Sequence, residues 1–306
     1  MNVLITGGAG YIGTELVKAL NKNPKIDEIV IYDNLWKDQY NLFIHSGIKK
    51  GKVRFVRAEI LDSRQLASAL KGIDIVYHLA AHVDSKLVNA NHHLYEQINN
   101  WGNAELSYAI DDSRVKTVIN ASSIAVYGSE PERINEINNP HPKTFYGTSK
   151  LRGEAHLMRL QDNRKVLNLR IGNVYGYGTS LRVDSFINQF AFSAAFENRI
   201  KIMGSGDQKR GIIHIDSLID ILSEIPFSNI ETGTYNVLEQ SLSVSDVADE
   251  FKKLIPEMEM LFINQHLDLR NIDVAPNASV NRLIKKDRSQ LGLQLNEFIE
   301  HLFSSK

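Results

Sequence analysis

Thr6-Gly7-Gly8-Ala9-Gly10-Tyr11-Ile12-Gly13 is the stretch that decides the fold of this chain, and it directly follows the apolar run Val3-Leu4-Ile5. Glycines at such positions permit a tight turn and let the backbone approach a pyrophosphate closely. The helix that begins at Tyr11 and Ile12 would present free backbone N–H groups, at the positive end of its dipole, to that phosphate. The stretch therefore predicts a strand, a phosphate-binding turn and a helix.

Asp33 stands about twenty residues after Gly13, the spacing typical of a dinucleotide-binding unit. It ends a second apolar run, Ile29-Val30-Ile31-Tyr32. A carboxylate at this place accepts hydrogen bonds from the adenosine ribose and repels a 2′-phosphate, so the sequence favours NAD over NADP. The glycine motif alone is compatible with an ordinary loop. Strand, helix and acid in register favour dinucleotide binding.

Composition narrows the class of protein. The chain has 306 residues, a formal net charge of −1, 43% hydrophobic and 23% charged residues, and no cysteine. These values predict a soluble globular protein, without a basic field for nucleic acid or an anionic membrane surface. Without cysteine there are no disulfides or thiolate metal sites, and His92-His93 lacks metal-ligand spacing, so no metal site is predicted. We expect a cytoplasmic protein.

Short apolar runs alternate with helical patterns through the first half of the chain, which predicts an α/β protein with a doubly wound parallel sheet. The predicted strands are Val3–Ile5, Glu28–Tyr32, Val53–Arg57, Ile73–His78, Val115–Ala121 and Val166–Arg170. The predicted helices cover 11–21, 63–70, 95–111 and 148–161.

After Arg170 this alternation ends, and glycines separate shorter elements. Two later elements, Ile212–Ile215 and Thr234–Leu238, are candidates to return to the main sheet. We therefore expect a dinucleotide-binding domain of residues 1–172 with about 212–239. Residues 173–211 and 240–306 would form a smaller C-terminal substrate-binding lobe.

Tyr146 and Lys150 are one helical turn apart, so both side chains would lie on one face of a helix start. Such a pair also arises by chance, and its weight comes from following the fifth predicted strand. That strand ends in Ser122-Ser123-Ile124-Ala125-Val126-Tyr127-Gly128. Ligands of open α/β sheets bind outside the carboxyl ends of the strands. We expect Ser123 and the Tyr146/Lys150 pair to converge there on one substrate carbon.

The chemistry explains these residue types. A phenol with an ordinary pKa near 10 is a poor base at neutral pH. The Lys150 ammonium and a positive nicotinamide ring would both favour the phenolate, and lowering the pKa by about 3 units corresponds to roughly 4 kcal/mol. Tyr146 would then take a proton from an alcohol while NAD accepts hydride from the same carbon. Ser123 would hold the oxygen, and Lys150 would also hold the nicotinamide ribose.

Together these residues resemble the extended short-chain dehydrogenase/reductase family, in its NAD-dependent nucleotide-sugar epimerase/dehydratase branch. The resemblance runs nearly from end to end through Thr6–Gly13, Asp33-Asn34-Leu35, His78-Leu79-Ala80-Ala81, Asn99, Ser122–Gly128, Tyr146–Lys150, Leu169-Arg170-x-x-Asn173-Val174-Tyr175-Gly176, Arg210-x-x-x-His214-x-Asp216, Tyr235-Asn236-Val237 and Arg270-x-x-Asp273. It implies an enzyme with a Rossmann-type sheet and with Ser123, Tyr146 and Lys150 as catalytic residues.

The resemblance also implies which residues contact each ligand. The implied cofactor-binding residues are Gly7, Gly10, Tyr11, Ile12, Asp33, Asn34, Ile60, Leu79, Ala80, Ala81, Asn99, Tyr146 and Lys150. The implied substrate-binding residues, for a nucleotide-diphosphate sugar, are Ser85, Ser123, Asn173, Arg210 and Arg270. Taken without the family, each arginine is more typical of a solvated surface charge. A homodimer formed through the helices near 95–111 and 148–161 is implied as well.

Departures from the family's patterns narrow the expected reaction. Ile124 and Ala125 stand where sugar 4,6-dehydratases that resemble this chain carry an Asp-Glu pair. Relatives that epimerise C3 and C5 use a cysteine, which this chain lacks. The leading hypothesis is NAD-dependent epimerisation of a nucleotide-diphosphate sugar at C4 through a 4-keto intermediate. A nucleotide-sugar 4-ketoreductase and a non-enzymatic NAD-binding regulatory protein remain open alternatives.

Overall fold

The computed structural model describes residues 1–44, 48, 51–83, 92–130, 132–265, 269–288 and 290–304. The strands are β1 (Asn2–Thr6), β2 (Glu28–Asp33), β3 (Val53–Arg57), β4 (Ile75–His78), β5 (Thr117–Ser123), β6 (Lys165–Ile171), β7 (Asn173–Tyr175), β8 (Arg199–Met203), β9 (Lys209–His214), β10 (Gly233–Val237), β11 (Gln240–Ser243) and β12 (Glu259–Ile263). Seven of them form the central sheet, in the order β10-β6-β5-β4-β1-β2-β3.

The α-helices are α1 (Tyr11–Lys22), α2 (Asn41–Ile44), α3 (Ser63–Ala69), α4 (His92–Leu94), α5 (Gly102–Asp111), α6 (Phe145–Met158), α7 (Phe186–Glu197), α8 (Ile215–Glu224), α9 (Val244–Leu254), α10 (Ala278–Asn281) and α11 (Leu291–Ser304). Short 3₁₀ helices cover Ile124–Tyr127 and Ile225–Phe227, and a π-helical stretch, Tyr95–Trp101, joins α4 to α5. No helix in the described ranges has the length and apolar character needed to traverse a lipid bilayer.

All neighbouring strands of the central sheet pair in parallel. Its strand order reverses direction between β1 and β4, the switch point at which open α/β sheets bind ligands. Both faces are covered: α1 and α8 pack with one apolar cluster, and α3, α5 and α6 pack with another. Strands buried on both faces need nearly continuous apolar runs, as in Val3–Ile5. The predicted Rossmann-type fold is confirmed.

The later part of the chain forms two small sheets, β11-β9-β7 and β12-β8. A separate apolar cluster joins α7, β8, α9 and α11. The predicted return of Thr234–Leu238 to the main sheet is confirmed by β10, but the return of Ile212–Ile215 is not. β10 fills the open edge of β6, and β9 therefore pairs with β7 and β11.

Candidate active site

At two positions of the turn between β1 and α1, any residue with a Cβ atom would collide with the neighbouring backbone, so only glycine fits. Gly7 has a φ of +71°, and a Cβ there would lie 2.6 Å from the backbone nitrogen of Ala80. A Cβ on Gly13 would lie 2.4 Å from the carbonyl oxygen of Gly7. The turn therefore packs directly against the segment after β4 and against the first turn of α1.

The first turn of α1 keeps backbone donors available. Gly10 is its N-cap and supplies no side-chain acceptor. None of the described residues accepts a hydrogen bond from the backbone N–H of Tyr11 or Ile12. The phenol of Tyr11 points elsewhere, because its hydroxyl donates to the carbonyl oxygen of Gly176 at 2.6 Å. The backbone of these two residues, rather than their side chains, can hold a phosphate.

Asp33 lies at the carboxyl end of β2, beside the glycine turn. Its carboxylate accepts hydrogen bonds from the backbone N–H groups of Ala9 at 3.0 Å and Leu35 at 2.8 Å. Burial raises the pKa of this carboxyl group, while the two backbone donors oppose that shift. Asn34, the next residue, donates to Glu59 at 3.0 Å. The carboxylate is thus fixed in place, with acceptor capacity left for a ribose hydroxyl.

A cleft of about 410 Å³ opens beside this turn. Eight predicted cofactor residues line it, namely Gly7, Gly10, Asp33, Asn34, Ile60, Leu79, Ala80 and Ala81. Further described residues of its lining that the sequence did not single out include Trp36, Lys37, Gln39, His82 and Gln97. A glycine cradle, free helix amides and a half-buried carboxylate are the donor and acceptor set that a dinucleotide needs. These residues fit NAD.

Asn99 lies in the π-helical stretch and is completely buried. Its amide group donates to the carbonyl oxygen of His82 at 3.0 Å and to the hydroxyl of Ser149 at 3.1 Å. Its side-chain oxygen accepts the backbone N–H of His82 at 2.8 Å. Asn99 therefore joins the segment after β4 to α6, and it is not part of the cleft lining. π-Helical turns often occur at functional sites.

Two of the predicted catalytic residues, Ser123 and Tyr146, meet where β5 ends, and Lys150 stands one helical turn after Tyr146 on α6. The hydroxyl of Ser123 accepts the backbone N–H of Ala125 at 3.2 Å, which leaves its proton for the hydroxyl of Tyr146. Burial raises the pKa of Tyr146, and the Ser123 hydrogen bond and the charge of Arg182 only partly offset this. The protein groups therefore do not produce the lowered phenol pKa that the sequence predicts, because desolvation outweighs them.

Lys150 is almost fully buried, at 3% exposure, on the same face of α6. Burial lowers its pKa to about 8, opposed by the negative charge of Glu154. None of the described carboxylates lies within ion-pair distance of it. Burial lowers the pKa of His78 to about 3, and the positive charge of Lys150 adds to this shift. Lys150 is thus a poorly solvated cation that an anionic partner would stabilise.

Sequence reasoning missed the ion pair below this face of α6. Glu154 accepts two hydrogen bonds from Arg170, at 3.0 and 2.8 Å, and a third from the hydroxyl of Ser122 at 2.5 Å. Burial alone would lower the pKa of Arg170, but the Glu154 carboxylate raises it overall. The available signal was the placement of Glu154 one turn after Lys150.

Three of the predicted substrate residues, Asn173, Arg210 and Arg270, lie on or beside the small β11-β9-β7 sheet. Asn173, at the start of β7, donates to the carbonyl oxygen of Gly211 at 3.0 Å. A guanidinium nitrogen of Arg210 donates to the carbonyl oxygen of Arg270 at 2.5 Å. Burial, together with the charge of Arg270, lowers the pKa of Arg210 to about 10. Ser85 lies outside the described residues.

Two features of this region bear on its chemistry. The charges of Arg210 and Arg270 repel each other. None of the described carboxylates forms an ion pair with either residue, so none of them compensates this repulsion. An anion between them would remove that repulsion. Arg182, which the sequence did not single out, acts electrostatically on Tyr146 and donates to Asp184 at 2.9 Å. It lies in the loop before α7.

Residues 3–237 match the NAD dependent epimerase/dehydratase family. Among relatives, the uncharacterised UDP-glucose epimerase YtcB of Bacillus subtilis is 28% identical over 225 residues, which cover 72% of this chain and 70% of that protein. The dTDP-D-glucose 4,6-dehydratase of Homo sapiens is 27% identical over 263 residues, covering 83% of this chain and 74% of that protein. The family branch therefore includes both epimerases and dehydratases.

Among solved structures, that of MoeE5 in complex with UDP-glucose and NAD superimposes with a TM-score of 0.83 and 25% identity, covering 100% of this chain and 99% of the other. The family match spans the glycine turn, Asp33 and the Ser123, Tyr146 and Lys150 group. The chain belongs to the NAD dependent epimerase/dehydratase family, and it is an enzyme whose cofactor is NAD.

Proposed function

We propose that this enzyme interconverts C4 epimers of a nucleotide-diphosphate sugar through a 4-keto intermediate. The observation that carries the proposal is the hydrogen bond between Ser123 and Tyr146 at the end of β5, with Lys150 one helical turn further along α6. The two positions that follow Ser123, Ile124 and Ala125, carry only apolar side chains. The three catalytic residues can supply the proton transfer and the charge that oxidation and reduction at one carbon require. They include no additional acid for the elimination of water.

Each residue has a distinct role. Tyr146 takes the proton of the C4 hydroxyl group and later returns it to the oxygen of the opposite epimer. Ser123 donates a hydrogen bond to the same oxygen and holds it in line. Lys150 supplies positive charge to the phenolate. NAD, when bound, provides the hydride acceptor and then the hydride donor for C4. The 4-keto sugar rotates between the two hydride transfers, so that the hydride returns to the opposite face of C4. Because the hydride is returned, there is no net oxidation of the sugar.

The residues after Ser123 argue against dehydration. Ile124 is 4% exposed and packs in an apolar cluster, and Ala125 follows it. Elimination of water across C5 and C6 needs a proton acceptor and a proton donor beside those carbons. Neither side chain transfers protons. We therefore propose that this enzyme, unlike its dehydratase relatives, does not catalyse the elimination of water.

Arg210, Arg270 and Asn173 support the assignment of the substrate class. Two guanidinium groups that repel each other and lack a described carboxylate partner can bind a diphosphate in a bidentate manner. We propose that they hold the diphosphate of the nucleotide sugar. Ser123 and Tyr146 then contact the sugar.

We also propose a homodimer formed by the exposed face of α5, its preceding π-helical stretch and α6. Trp101 and Tyr108 are 56% and 64% exposed on this face, and Arg159 lies 4.8 Å from the Tyr108 ring centre. Large exposed aromatic side chains are enriched at protein interfaces. Light scattering after size exclusion should give twice the monomer mass, and the double variant Trp101→Glu/Tyr108→Glu should give the monomer mass. A monomeric parent protein would reject the proposal.

The epimerase proposal is tested by a screen of UDP- and dTDP-linked hexoses. A ligand that binds the folded enzyme in the presence of NAD raises its melting temperature. Each positive sugar is then incubated with the enzyme, and the product is resolved by NMR while absorbance is followed at the reduced-nicotinamide band. Interconversion of C4 epimers without a net absorbance change is expected. Stoichiometric consumption of NADH or NADPH with a 4-keto sugar, without epimer interconversion, would instead identify a 4-ketoreductase.

A further inference from the structure

The loop after β2 is bent sharply so that it places a tryptophan at the mouth of the NAD cleft. The backbone N–H of Leu35 donates to Asp33 at 2.8 Å, and that of Trp36 donates to Asn34 at 3.0 Å. Leu35 and Asp38 have φ angles of +60° and +50°, in the left-handed region. Such a conformation is unfavourable for leucine, so the surrounding contacts must hold the loop in it.

The indole of Trp36 lines the cleft although it is 66% exposed. Its ring lies edge-on to the imidazole ring of His82, with 6.5 Å between the ring centres. His82 belongs to the segment after β4, and β4 and β2 lie on opposite sides of β1 in the central sheet. The Trp36–His82 contact is therefore a bridge over the cleft.

The bridge continues toward the catalytic group. The His82 ring lies 5.1 Å from the ring of Tyr95, which lies 6.0 Å from that of Tyr146. Asn99 holds the backbone of His82 through two hydrogen bonds, at 2.8 and 3.0 Å. One end of the bridge is thus fixed to the core, whereas the Trp36 end lies on an exposed loop.

An apolar surface as large as an indole gains stability when it is covered. A ligand bound in the cleft beside Asp33 would cover the Trp36 ring, because Asp33 lies at the base of the same loop. From the preference of Asp33 for ribose hydroxyls, this is the adenosine side of the cofactor. Binding there would bury the exposed ring, and the stability gained would offset the unfavourable backbone conformation of the loop.

We propose that Trp36 is a cofactor-retaining residue, which closes with His82 over the adenosine half of NAD and slows its release. The purpose of retention rests on the proposed function, because an epimerase must return the hydride that it removed. The binding role itself does not depend on turnover, and it can be tested without any sugar.

The test compares Trp36→Ala with Tyr40→Ala in the full-length protein. Tyr40 is an exposed aromatic residue of the same segment, at 44% exposure, and does not line the cleft. NADH is the probe, and its own fluorescence reports dissociation when excess NAD displaces it in a stopped-flow instrument. Trp36→Ala should release NADH about tenfold faster, with little change in the association rate, and Trp36→Phe should be intermediate. Tyr40→Ala should match the parent protein.

A second readout concerns position rather than stability. The chain has two tryptophans, so Trp101→Phe leaves Trp36 as the single one. Saturating NADH should quench its emission and excite nicotinamide fluorescence by energy transfer. Melting temperatures confirm that each variant is folded. Unchanged Trp36 emission, or NADH release from Trp36→Ala within about twofold of the parent rate, would overturn the proposal, whether or not the enzyme proves to be an epimerase.

Discussion

The carboxylate of Glu154 and the guanidinium of Arg170 form a buried ion pair through two hydrogen bonds of 3.0 and 2.8 Å. Their side chains are 6% and 7% exposed, and Ser122 donates to the same carboxylate. Glu154 stands one helical turn after Lys150, and Ser122 directly precedes Ser123. The pair therefore fixes α6 to β5 and β6 beside Ser123 and Lys150, two of the proposed catalytic residues.

Removing one partner of this pair should be costly, because the other charge stays buried. We expect Glu154→Gln to lower the free energy of unfolding by about 3–5 kcal/mol. The matched control is Glu28→Gln, since Glu28 pairs with Arg54 at 3.2 Å with both side chains at least 39% exposed. That variant should lose less than about 1 kcal/mol. Urea unfolding measures both. Equal losses would show that the buried pair does not anchor α6.

Lys150 should make stability depend on alkaline pH. Its pKa is lowered to about 8 in the folded protein from 10.5, so the unfolded chain binds more protons between these pH values. Stability therefore rises with pH across this window. Lys150→Met removes the buried charge and should be more stable than the parent at pH 7, by up to about 3 kcal/mol.

This difference should shrink to less than about 1 kcal/mol by about pH 10, because Lys150 is then neutral in the folded state and is losing its proton in the unfolded chain as well. Urea unfolding of the two proteins at both pH values measures it, and the other titrating groups cancel in the comparison. The same difference at both pH values would contradict a lowered Lys150 pKa.

Asp33 should determine coenzyme choice. Its half-buried carboxylate lines the cleft and would repel a 2′-phosphate, so NAD should bind at least about tenfold more tightly than NADP. Asp33→Asn should weaken NAD binding and narrow this ratio. Asp38→Asn, an exposed position of the same loop outside the cleft lining, should leave both affinities unchanged. Calorimetric titration decides, and equal affinities in the parent protein would reject the assignment.

Tyr146 should be needed for turnover and not for the fold. Tyr146→Phe removes the proton-transferring hydroxyl and should reduce kcat by about 10²- to 10⁴-fold while NAD still binds. Tyr235→Phe serves as the control, because its hydroxyl donates to the carbonyl oxygen of Glu231 at 2.9 Å and does not act on Tyr146. It should keep turnover within about threefold of the parent. Near-normal activity of Tyr146→Phe would show that another group is the base.

The features that local sequence determines were predictable. The turn of Gly7, the start of α1 and the place of Asp33 all follow from neighbouring residues in one strand-turn-helix unit. Tyr146 and Lys150 are one turn apart on a single helix, so their common face followed from helical geometry. Such relationships do not depend on how distant segments pair.

What the sequence left open depends on distant partners. The pairing of β9 with β7 and β11 was set by β10, which occupies the edge of β6. Glu154 and Arg170 belong to different elements, and neither residue alone indicates the other. The raised pKa of Tyr146 comes from burial by several segments, which spacing along the chain does not reveal. The strained loop that carries Trp36 was equally invisible to periodicity.

The most direct test of the account is the fate of hydrogen at C4. A nucleotide sugar that the enzyme accepts is prepared with deuterium at C4 and incubated with the purified protein and unlabelled NAD in solution. If one retained cofactor takes the hydride and returns it while Tyr146 exchanges the proton, both C4 epimers should keep the deuterium at C4. Loss of deuterium from C4, or its recovery in NADH released to solution, would contradict epimerisation by a retained cofactor.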